Sequence, residues 1–341
     1  MPAPKILIPK ITIQRLWPKN INEKDRYLFK HEIKKDIPPV KLDIISPCIY
    51  SSSGIFKKNK FLLIHPFSFQ GKTSITSYVK NEIKFNFFNH SAKSIPGVSL
   101  TITDNFSNGY FHWFSDALPR LFVIKEKQIS FNNLILPAFA KKEAYIPESL
   151  LPFDVPKSIQ IHEGEIAKLD TLIATTPIAP TGNYRPEIMK GLQKLYRNFY
   201  NLHNINGYKK IYISRAKAAR RRVLNEDELL PILLKYGYES VIMEDLSFSE
   251  QVRVIGNANI LISLHGAGLT NMLFMPQHST IVEFRFPGDT NNNCYFSLAN
   301  ALEYDYYYLL GITKNNNADA HSDNLIIDPE NLKQLLEHIQ K

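Results

Sequence analysis

Cysteine is scarce in this chain: Cys48 and Cys294 are the two among 341 residues. So few, so far apart, exclude a disulfide framework, and neither has metal-ligand spacing. A reducing cytoplasm is the simplest setting, and there the Asn89-His90-Ser91 and Asn105-Phe106-Ser107 sequons carry no meaning. Long apolar runs are missing too; none approaches the ~20 residues of a membrane-spanning helix. The N-terminus, MPAPKILIPKITI, has no continuous apolar core and no small-residue cleavage site, so no signal peptide is expected. There is no internal repeat and no long low-complexity segment, only short polar loops at 291–293 and 315–317. No acidic pair of the DxD kind stands at a strand end, and Glu244-Asp245 reads better as a strand-to-helix loop, so no metal and no cofactor are expected.

What is present is a soluble-protein composition, 44% hydrophobic and 21% charged, in a length that suits two domains. Net charge is +9, from 41 basic and 32 acidic residues, which suits nucleic acid, an anionic membrane surface or an anionic substrate. The charge is spread, with Lys57, Lys58 and Lys60 in the first third and a cluster at 215–222. Spread charge argues for general surface attraction over a nucleic-acid stripe.

The most informative stretch runs from 259 to 284, NILISLHGAGLTNMLFMPQHSTIVEF. The apolar run 260–264 predicts a strand buried on both faces. His265-Gly266-Ala267-Gly268 follows at once, and Leu269, Leu273 and Phe274 continue at helical spacing. A strand, a Gly-rich turn and a helix start make an anion site, because first-turn N–H groups point outward unpaired. An ordinary βα turn gives the same short pattern. Residues 280–284 predict a second strand carrying one carboxylate, Glu283, which beside a phosphate site suits a ribose diol.

Along the chain, short β-like runs occur at 5–8 and 61–64, broken by Pro and polar stretches. His112 and Asp116 stand four apart, which on a helix puts both on one face, with Leu118, Leu121 and Phe122 burying the other side and Pro119 near a helix start. The pair suits a general base with its orienting partner, and equally a structural ion pair. Strands are expected at 134–136 and 172–175, and a helix at 184–201 with Ile188, Leu192, Leu195 and Phe199 inward. The polar run 201–208 is expected to be the domain linker. Beyond it come a strand ending at Ser214, a helix capped by Asn225 with Glu228, a strand at 240–243, a helix boxed by Ser247 and Glu250, a helix at 293–302, a strand at 306–310 and a last helix at 329–339. This alternation predicts an α/β fold with a parallel sheet. Arg215 directly follows one buried strand, and ligands of such sheets sit outside the carboxyl ends of strands. Strand ends at 214 and 264 on one edge would set a guanidinium against an N–H-rich turn, as a diphosphate requires. Arg215 is the first choice for that contact and one of Arg220, Arg221 and Arg222 the second.

Three motifs in order, YFHWFSDALPRL, YISR with its arginine cluster, and HGAGLTNMLFMP with STIVEF, resemble glycosyltransferase family 61, over roughly residues 100–310. Members of that family include bacterial capsular-polysaccharide-type enzymes and eukaryotic xylosyl- and N-acetylglucosaminyltransferases. The resemblance implies a GT-B architecture, two Rossmann-like domains facing across a cleft. On that plan 1–203 is an acceptor-side α/β domain, 204–315 the nucleotide-sugar domain, and 316–341 a C-terminal helix packing back toward the first. It implies inverting, metal-independent transfer from a nucleotide-sugar donor, a UDP-sugar first, to a glycan or lipid-linked glycan acceptor in capsule, lipopolysaccharide or other surface polysaccharide synthesis. The donor set so implied is Ser214, Arg215, Arg220, Arg221, His265, Gly266, Ala267, Gly268 and Asn271, with Glu283 on the ribose. The catalytic pair is Asp116 and His112, Asp116 ranked first as base. Without an N-terminal anchor the expected place is the cytoplasm, at a membrane's inner face where peripheral contact is made. Two rival readings use the same residues: an epimerase or hydrolase acting on sugar nucleotides, and a nucleic-acid-binding module built on Lys217 and Arg220 to Arg222. No aromatics interleave with that cluster, so nucleic acid is not the expected partner.

Overall fold

The computed structural model describes residues 5–52, 56–58, 61–63, 92–104, 106–313 and 322–340. The expected strand end at Ile64, Lys60, the 89–91 sequon, Asn105 and the 315–317 loop lie outside them. No helix among the described residues is long and apolar enough to cross a membrane. The chain forms two compact units, Met1–Ile11 with Asp36–Thr181, and Thr12–Lys35 with Gly182–Lys341.

The first unit is built on a nine-stranded sheet. Its strands are β1 (Lys5–Ile8), β4 (Val40–Ile45), β5 (Cys48–Ser51), β6 (Phe56–Lys58), β7 (Phe61–Leu63), β8 (Ala92–Thr101), β9 (Asn133–Leu136), β10 (Ser158–Gln160) and β11 (Ile166–Thr175). A separate ribbon pairs β2 (Ile11–Gln14) with β3 (Lys34–Ile37). β10, β9, β8 and β11 run parallel, but β4 and β5 pair with β11 antiparallel, as β1 does with β4 and β6 with β5. The expectation of a Rossmann-like first domain is therefore corrected to a mixed sheet. An extra residue on β8 at Pro96-Gly97 bulges it against β11, where Gly97 takes φ +80° and its N–H bonds Asp170 Oδ2 at 3.0 Å. One sheet face buries Ile45, Tyr50, Phe56, Ile95, Ile135 and Leu169. Helix α1 (Leu118–Glu126) carries Pro119 in its first turn, as expected, and is entered through a π-helical turn, Trp113–Ala117. Trp113 is fully buried, with its indole N–H on Ser149 Oγ at 2.8 Å.

The second unit holds a five-stranded sheet in the order β13-β12-β14-β15-β16. Its members are β12 (Lys209–Ser214), β13 (Tyr238–Ile242), β14 (Ala258–Leu264), β15 (Thr280–Arg285) and β16 (Asp305–Leu310). All neighbours run parallel, as the alternation predicts. The chain visits the sheet in the order 2-1-3-4-5, so direction reverses between β12 and β14, the crevice where open α/β sheets take ligands. The helices are α2 (Pro186–Phe199), α3 (Glu226–Lys235), α4 (Phe248–Gly256), α5 (Cys294–Ala301) and α6 (Pro329–Ile339). Ser247 and Glu250 form the expected capping box at α4.

Residues 12–35 belong to this second unit. Lys19 N–H bonds Tyr306 C=O at 2.8 Å, and Asn20 Oδ1 accepts Tyr308 N–H at 3.2 Å, covering the otherwise open edge of β16. Phe29 lies 5.0 Å from Phe296 and 5.2 Å from Tyr308 between ring centroids. α6 buries Leu332, Leu335 and Leu336 with Leu229, Leu233, Val282 and Phe284 of its own unit, which corrects its expected return to the first. Asn225 does not cap α3 with its side chain; it pairs twice with the Ile327 backbone, at 2.7 and 3.0 Å. The inward face of α2 is rotated from the apolar spacing: Tyr196 and Arg197 are buried, while Phe199 is 46% exposed.

The expected linker at 201–208 is a clamped turn inside the second unit. Arg197 explains both departures, donating to Gly256 O at 3.0 Å, Phe274 O at 2.9 Å and Ile205 O at 2.6 Å. Gly207 has φ +78°, and a β-carbon there would stand 2.8 Å from Pro276 Cγ and 3.0 Å from the Ala258 carbonyl group. Gly207→Ala should therefore destabilise the protein by about 1–3 kcal/mol in urea denaturation. A free linker would show a change within about 0.5 kcal/mol.

Candidate active site

β12 and β14 pair in register, Ile213 opposite Ser263, so Arg215 and His265-Gly266 leave the sheet side by side at its carboxyl edge. The residues after β14 form an eight-residue 3-10 helix, Ala267–Phe274. Its first internal bond is Leu269 N–H to Gly266 C=O at 2.9 Å, so the amides of Ala267 and Gly268 precede the ladder and are unused by it. Gly266 has extended backbone, φ 169°, which any residue adopts. What demands glycine is space: a β-carbon there would lie 2.4 Å from Arg215 Nη1 and 2.9 Å from Cζ. Gly268 serves packing, since its β-carbon would meet Ile213 Cγ2 at 3.2 Å.

Arg215 thus lies flat on the Gly266 turn. Its Nε donates to Arg221 O at 2.8 Å and Nη2 to Arg220 O at 3.0 Å, which curls the 215–222 loop around it. Arg221 holds the left-handed conformation, φ +58°, and its buried Nε has no acceptor among the described residues. The loop is pinned from outside by Arg222 N–H to Asn324 Oδ1 at 2.8 Å and by the Val223–Leu325 bridge. Burial, and then the nearby Arg221, push the Arg215 guanidinium below its ordinary pKa. Among the described residues no carboxylate is within ion-pair distance of either arginine. A partly buried cation with only carbonyl acceptors beside it favours an incoming anion. Arg220 and Arg222 are exposed, and Lys217 pairs with Asp245 at 2.5 Å. Asp245 lies in the short 3-10 turn Met243–Asp245, the loop the sequence suggested.

Three expected donor contacts are otherwise engaged. Ser214 Oγ donates to Glu226 Oε2 at 3.0 Å, and Tyr212 holds the other oxygen at 2.6 Å. Asn271 is buried and reaches Gln251 Oε1 at 3.4 Å. Glu283 is wholly buried: Oε1 meets His265 Nδ1, and Oε2 accepts from the Tyr306 hydroxyl at 2.5 Å with Arg285 Nη1 at 3.4 Å. Glu283, expected on the ribose, is thus engaged through both oxygens within the protein. Burial opposes its charge, but Arg285, His265 and Tyr306 outweigh it and hold the carboxyl below the usual range. Arg285 was legible in principle, since residues two apart on a strand share a face. Tyr306 and Tyr295 carried no local signal. The Tyr295 ring stands edge-on to His265, centroids 4.9 Å apart, within electrostatic reach of Arg215 and Arg221.

In the first unit the π turn brings His112 Nδ1 to 2.8 Å from Asp116 Oδ2, and the Thr181 hydroxyl donates to the same oxygen at 2.9 Å. Asp116 is buried, while the His112 side chain keeps 27% exposure. His112 Nε2 has no partner among the described residues. An accessible imidazole oriented by a buried carboxylate has the form of a base with its orienter. The sequence ranked Asp116 first as base; in the structure His112 is the more exposed of the two. Arg120 in the same motif bonds Asp104 at 2.9 Å and Ile102 O at 3.1 Å, fixing the end of β8 beside the pair. Burial pushes the Asp116 carboxyl up, His112 opposes this, and Asp104 adds to it. Among the described residues no group of three or more His, Cys, Asp or Glu is placed to hold a metal ion.

The sequence profile of Glycosyltransferase 61 matches residues 110–282, just over half the chain, from the π turn to β15. The chain belongs to that family. It is 45% identical over 91 residues to the EGF domain-specific O-linked N-acetylglucosamine transferase of Drosophila melanogaster, 26% of this chain and 17% of that protein. It is 28% identical over 213 residues to alpha-1,3-arabinosyltransferase XAT3 of Oryza sativa subsp. japonica, 55% of this chain and 36% of that one. With the human protein O-linked-mannose beta-1,4-N-acetylglucosaminyltransferase 2 it shares 39% over 83 residues, 24% of this chain and 14% of that protein. The chain thus spans about a third or less of these relatives' lengths.

Two outcomes follow for this family 61 chain. Gly266→Ala should push the guanidinium aside and weaken pyrophosphate binding about tenfold or more by calorimetry, whereas Gly268→Ala should lower Tm with affinity kept. Asp116 has a folded pKa above its unfolded one, so its share of stability is present below the ordinary carboxylate range and lost as pH rises through the raised value. Urea denaturation between about pH 3 and pH 7 should show Asp116→Asn gaining stability relative to the parent as pH rises.

Proposed function

We propose that this protein is a glycosyltransferase that moves a sugar from a nucleotide-sugar donor, a UDP-sugar first, to a hydroxyl of a glycan or lipid-linked glycan. The observation that carries the reading is the Arg215 guanidinium lying against the Gly266 turn, unpaired with any carboxylate among the described residues, at the switch point of a 2-1-3-4-5 sheet. Family membership and relatives that are named glycosyltransferases agree with it.

On this reading the donor diphosphate takes up Arg215, Arg221, the amides of Ala267 and Gly268, and His265. His112 removes the proton from the attacking acceptor hydroxyl, and Asp116 orients the ring and balances the imidazolium it becomes. The oxygen attacks the anomeric carbon as the bond to the diphosphate breaks, and the electron pair leaves on the phosphate oxygen. A single displacement of this kind inverts the anomeric centre. Arg215 and Arg221 carry the positive charge at the leaving group, so the reading calls for no metal. It requires the two-domain plan of GT-B enzymes. The net charge of +9 is compatible with an anionic acceptor, and the reading takes this to be a surface polysaccharide, capsular or lipopolysaccharide, built in the cytoplasm or at the inner face of a membrane.

The test is turnover of a panel of nucleotide sugars with oligosaccharide acceptors, followed by release of nucleoside diphosphate. Arg215→Ala should lose about two or more orders of magnitude in kcat/KM, since a fixed charge at a leaving group is worth a few kcal/mol. Near-normal turnover by that variant removes Arg215 from the role. Epimerised donor in the absence of acceptor would replace transfer with epimerisation.

A further inference from the structure

The diphosphate reading leaves one buried constellation unexplained: Glu283, His265, Arg285 and Tyr306. Glu283 sits on β15 directly across from Ser263, so its side chain lies beneath the turn that begins at His265. It is 0% exposed, and both of its oxygens are taken, one by His265 Nδ1 and the other by Tyr306 and Arg285. Arg285 is itself held by Asn292 O and Asp289 O, each at 3.1 Å, and its guanidinium lies 5.0 Å over the Phe29 ring. Such an arrangement is far more than a ribose contact needs, and with Glu283 wholly buried no carboxylate oxygen is exposed to a ribose. Its one outlet is the imidazole. His265 keeps 6% exposure, and its Nε2 has no partner among the described residues. The ring is braced by Tyr295, whose surroundings include Arg215 and Arg221.

We infer that Glu283 is a positioning residue: it fixes the His265 ring so that Nε2 presents to the donor diphosphate, and it does not itself touch the ribose. The inference rests on the diphosphate reading above. With Nδ1–H facing a fixed carboxylate, a ring protonated also on Nε2 donates to a phosphate oxygen while Glu283 balances its charge. Arg285 and Tyr306 hold that carboxyl below its ordinary range against burial, so the network fixes the orientation in which the ring presents Nε2 at the turn.

Two roles for Glu283 make opposite demands on ligands. A ribose contact feels the 2′-hydroxyl and ignores inorganic pyrophosphate; a positioning role acts on pyrophosphate and ignores the 2′-hydroxyl. The experiment is calorimetric titration of the full chain with UDP, 2′-deoxy-UDP and inorganic pyrophosphate, for the parent, Glu283→Gln, His265→Gln and the double variant. Positioning predicts a loss of about 10- to 100-fold in affinity for both UDP and pyrophosphate in each single variant, by analogy with outer-shell partners of ligating histidines. It predicts an unchanged preference for UDP over 2′-deoxy-UDP, and a double variant no weaker than the singles, because both act through one group. Glu283→Gln leaves Arg285 short of its counter-charge and can unfold the protein. His265→Gln keeps Glu283, Arg285 and Tyr306 together and tests the outlet alone. Retained pyrophosphate affinity with loss of the 2′-hydroxyl preference in Glu283→Gln overturns the inference in favour of ribose binding. Unchanged pyrophosphate affinity in a folded His265→Gln overturns it outright. A parent chain that binds neither UDP nor pyrophosphate overturns the donor-site reading as well, and that failure is visible before any variant is made.

Discussion

A guanidinium pressed onto a glycine, with no carboxylate among the described residues to meet it, is the constraint on which the carboxyl edge of the second sheet depends. Burying a cation is costly, and proteins ordinarily answer with an acid. Here the acceptors supplied to Arg215 are the carbonyls of Arg220 and Arg221. These satisfy the N–H geometry without cancelling the charge. Curling the loop to present them forces Arg221 into the left-handed region and brings a second cation close, which raises the electrostatic cost further. A fold bears such a cost where ligand binding recovers it. The loop is kept in shape from outside, by Asn324 and the Leu325 bridge, so its strain is supported by segments that take no part in the chemistry.

The treatment of Glu283 is the complement. A carboxylate stands one strand away from this positive site, yet it is fully neutralised by Arg285, Tyr306 and His265. Its charge is met within its own network of Arg285, His265 and Tyr306, apart from the groups that surround Arg215.

Much of the second unit was legible in the sequence because its signals are local. Buried runs of β-branched residues mark β12, β14 and β15, and the small residues after β14 mark a turn where backbone must be approached closely. The misreadings have non-local causes. Asn225 looks like a helix cap, but a better partner arrives from Ile327, about a hundred residues away in sequence. The inward face of α2 is set by Arg197, whose contacts satisfy carbonyls from three segments, and apolar periodicity does not register a buried polar anchor. Residues 12–35 were unreadable because they fold against β16, some 285 positions on, and no window of sequence contains both partners. Glu283 was legible as a lone carboxylate in a buried strand, but its engagement by Tyr306 was not, because that partner lies on another strand.

The pair proposed as catalytic, His112 and Asp116, illustrates how helix geometry can hold chemistry that spacing merely permits. Four residues apart, a histidine and a carboxylate on any helix can touch, and such pairs are common and inert. What distinguishes His112 and Asp116 is the π turn that carries them, since widening the helix by one residue is costly and recurs where a side chain must be aimed. Thr181 takes up the same carboxylate oxygen as His112, which fixes Asp116 and leaves the outer imidazole nitrogen without a partner among the described residues. An ion pair kept for stability would be served as well by a regular turn with the histidine covered. The cost of the π turn, the buried carboxylate held by His112 and Thr181, and the exposed ring edge make sense together when a proton has to be taken from something that arrives from solvent.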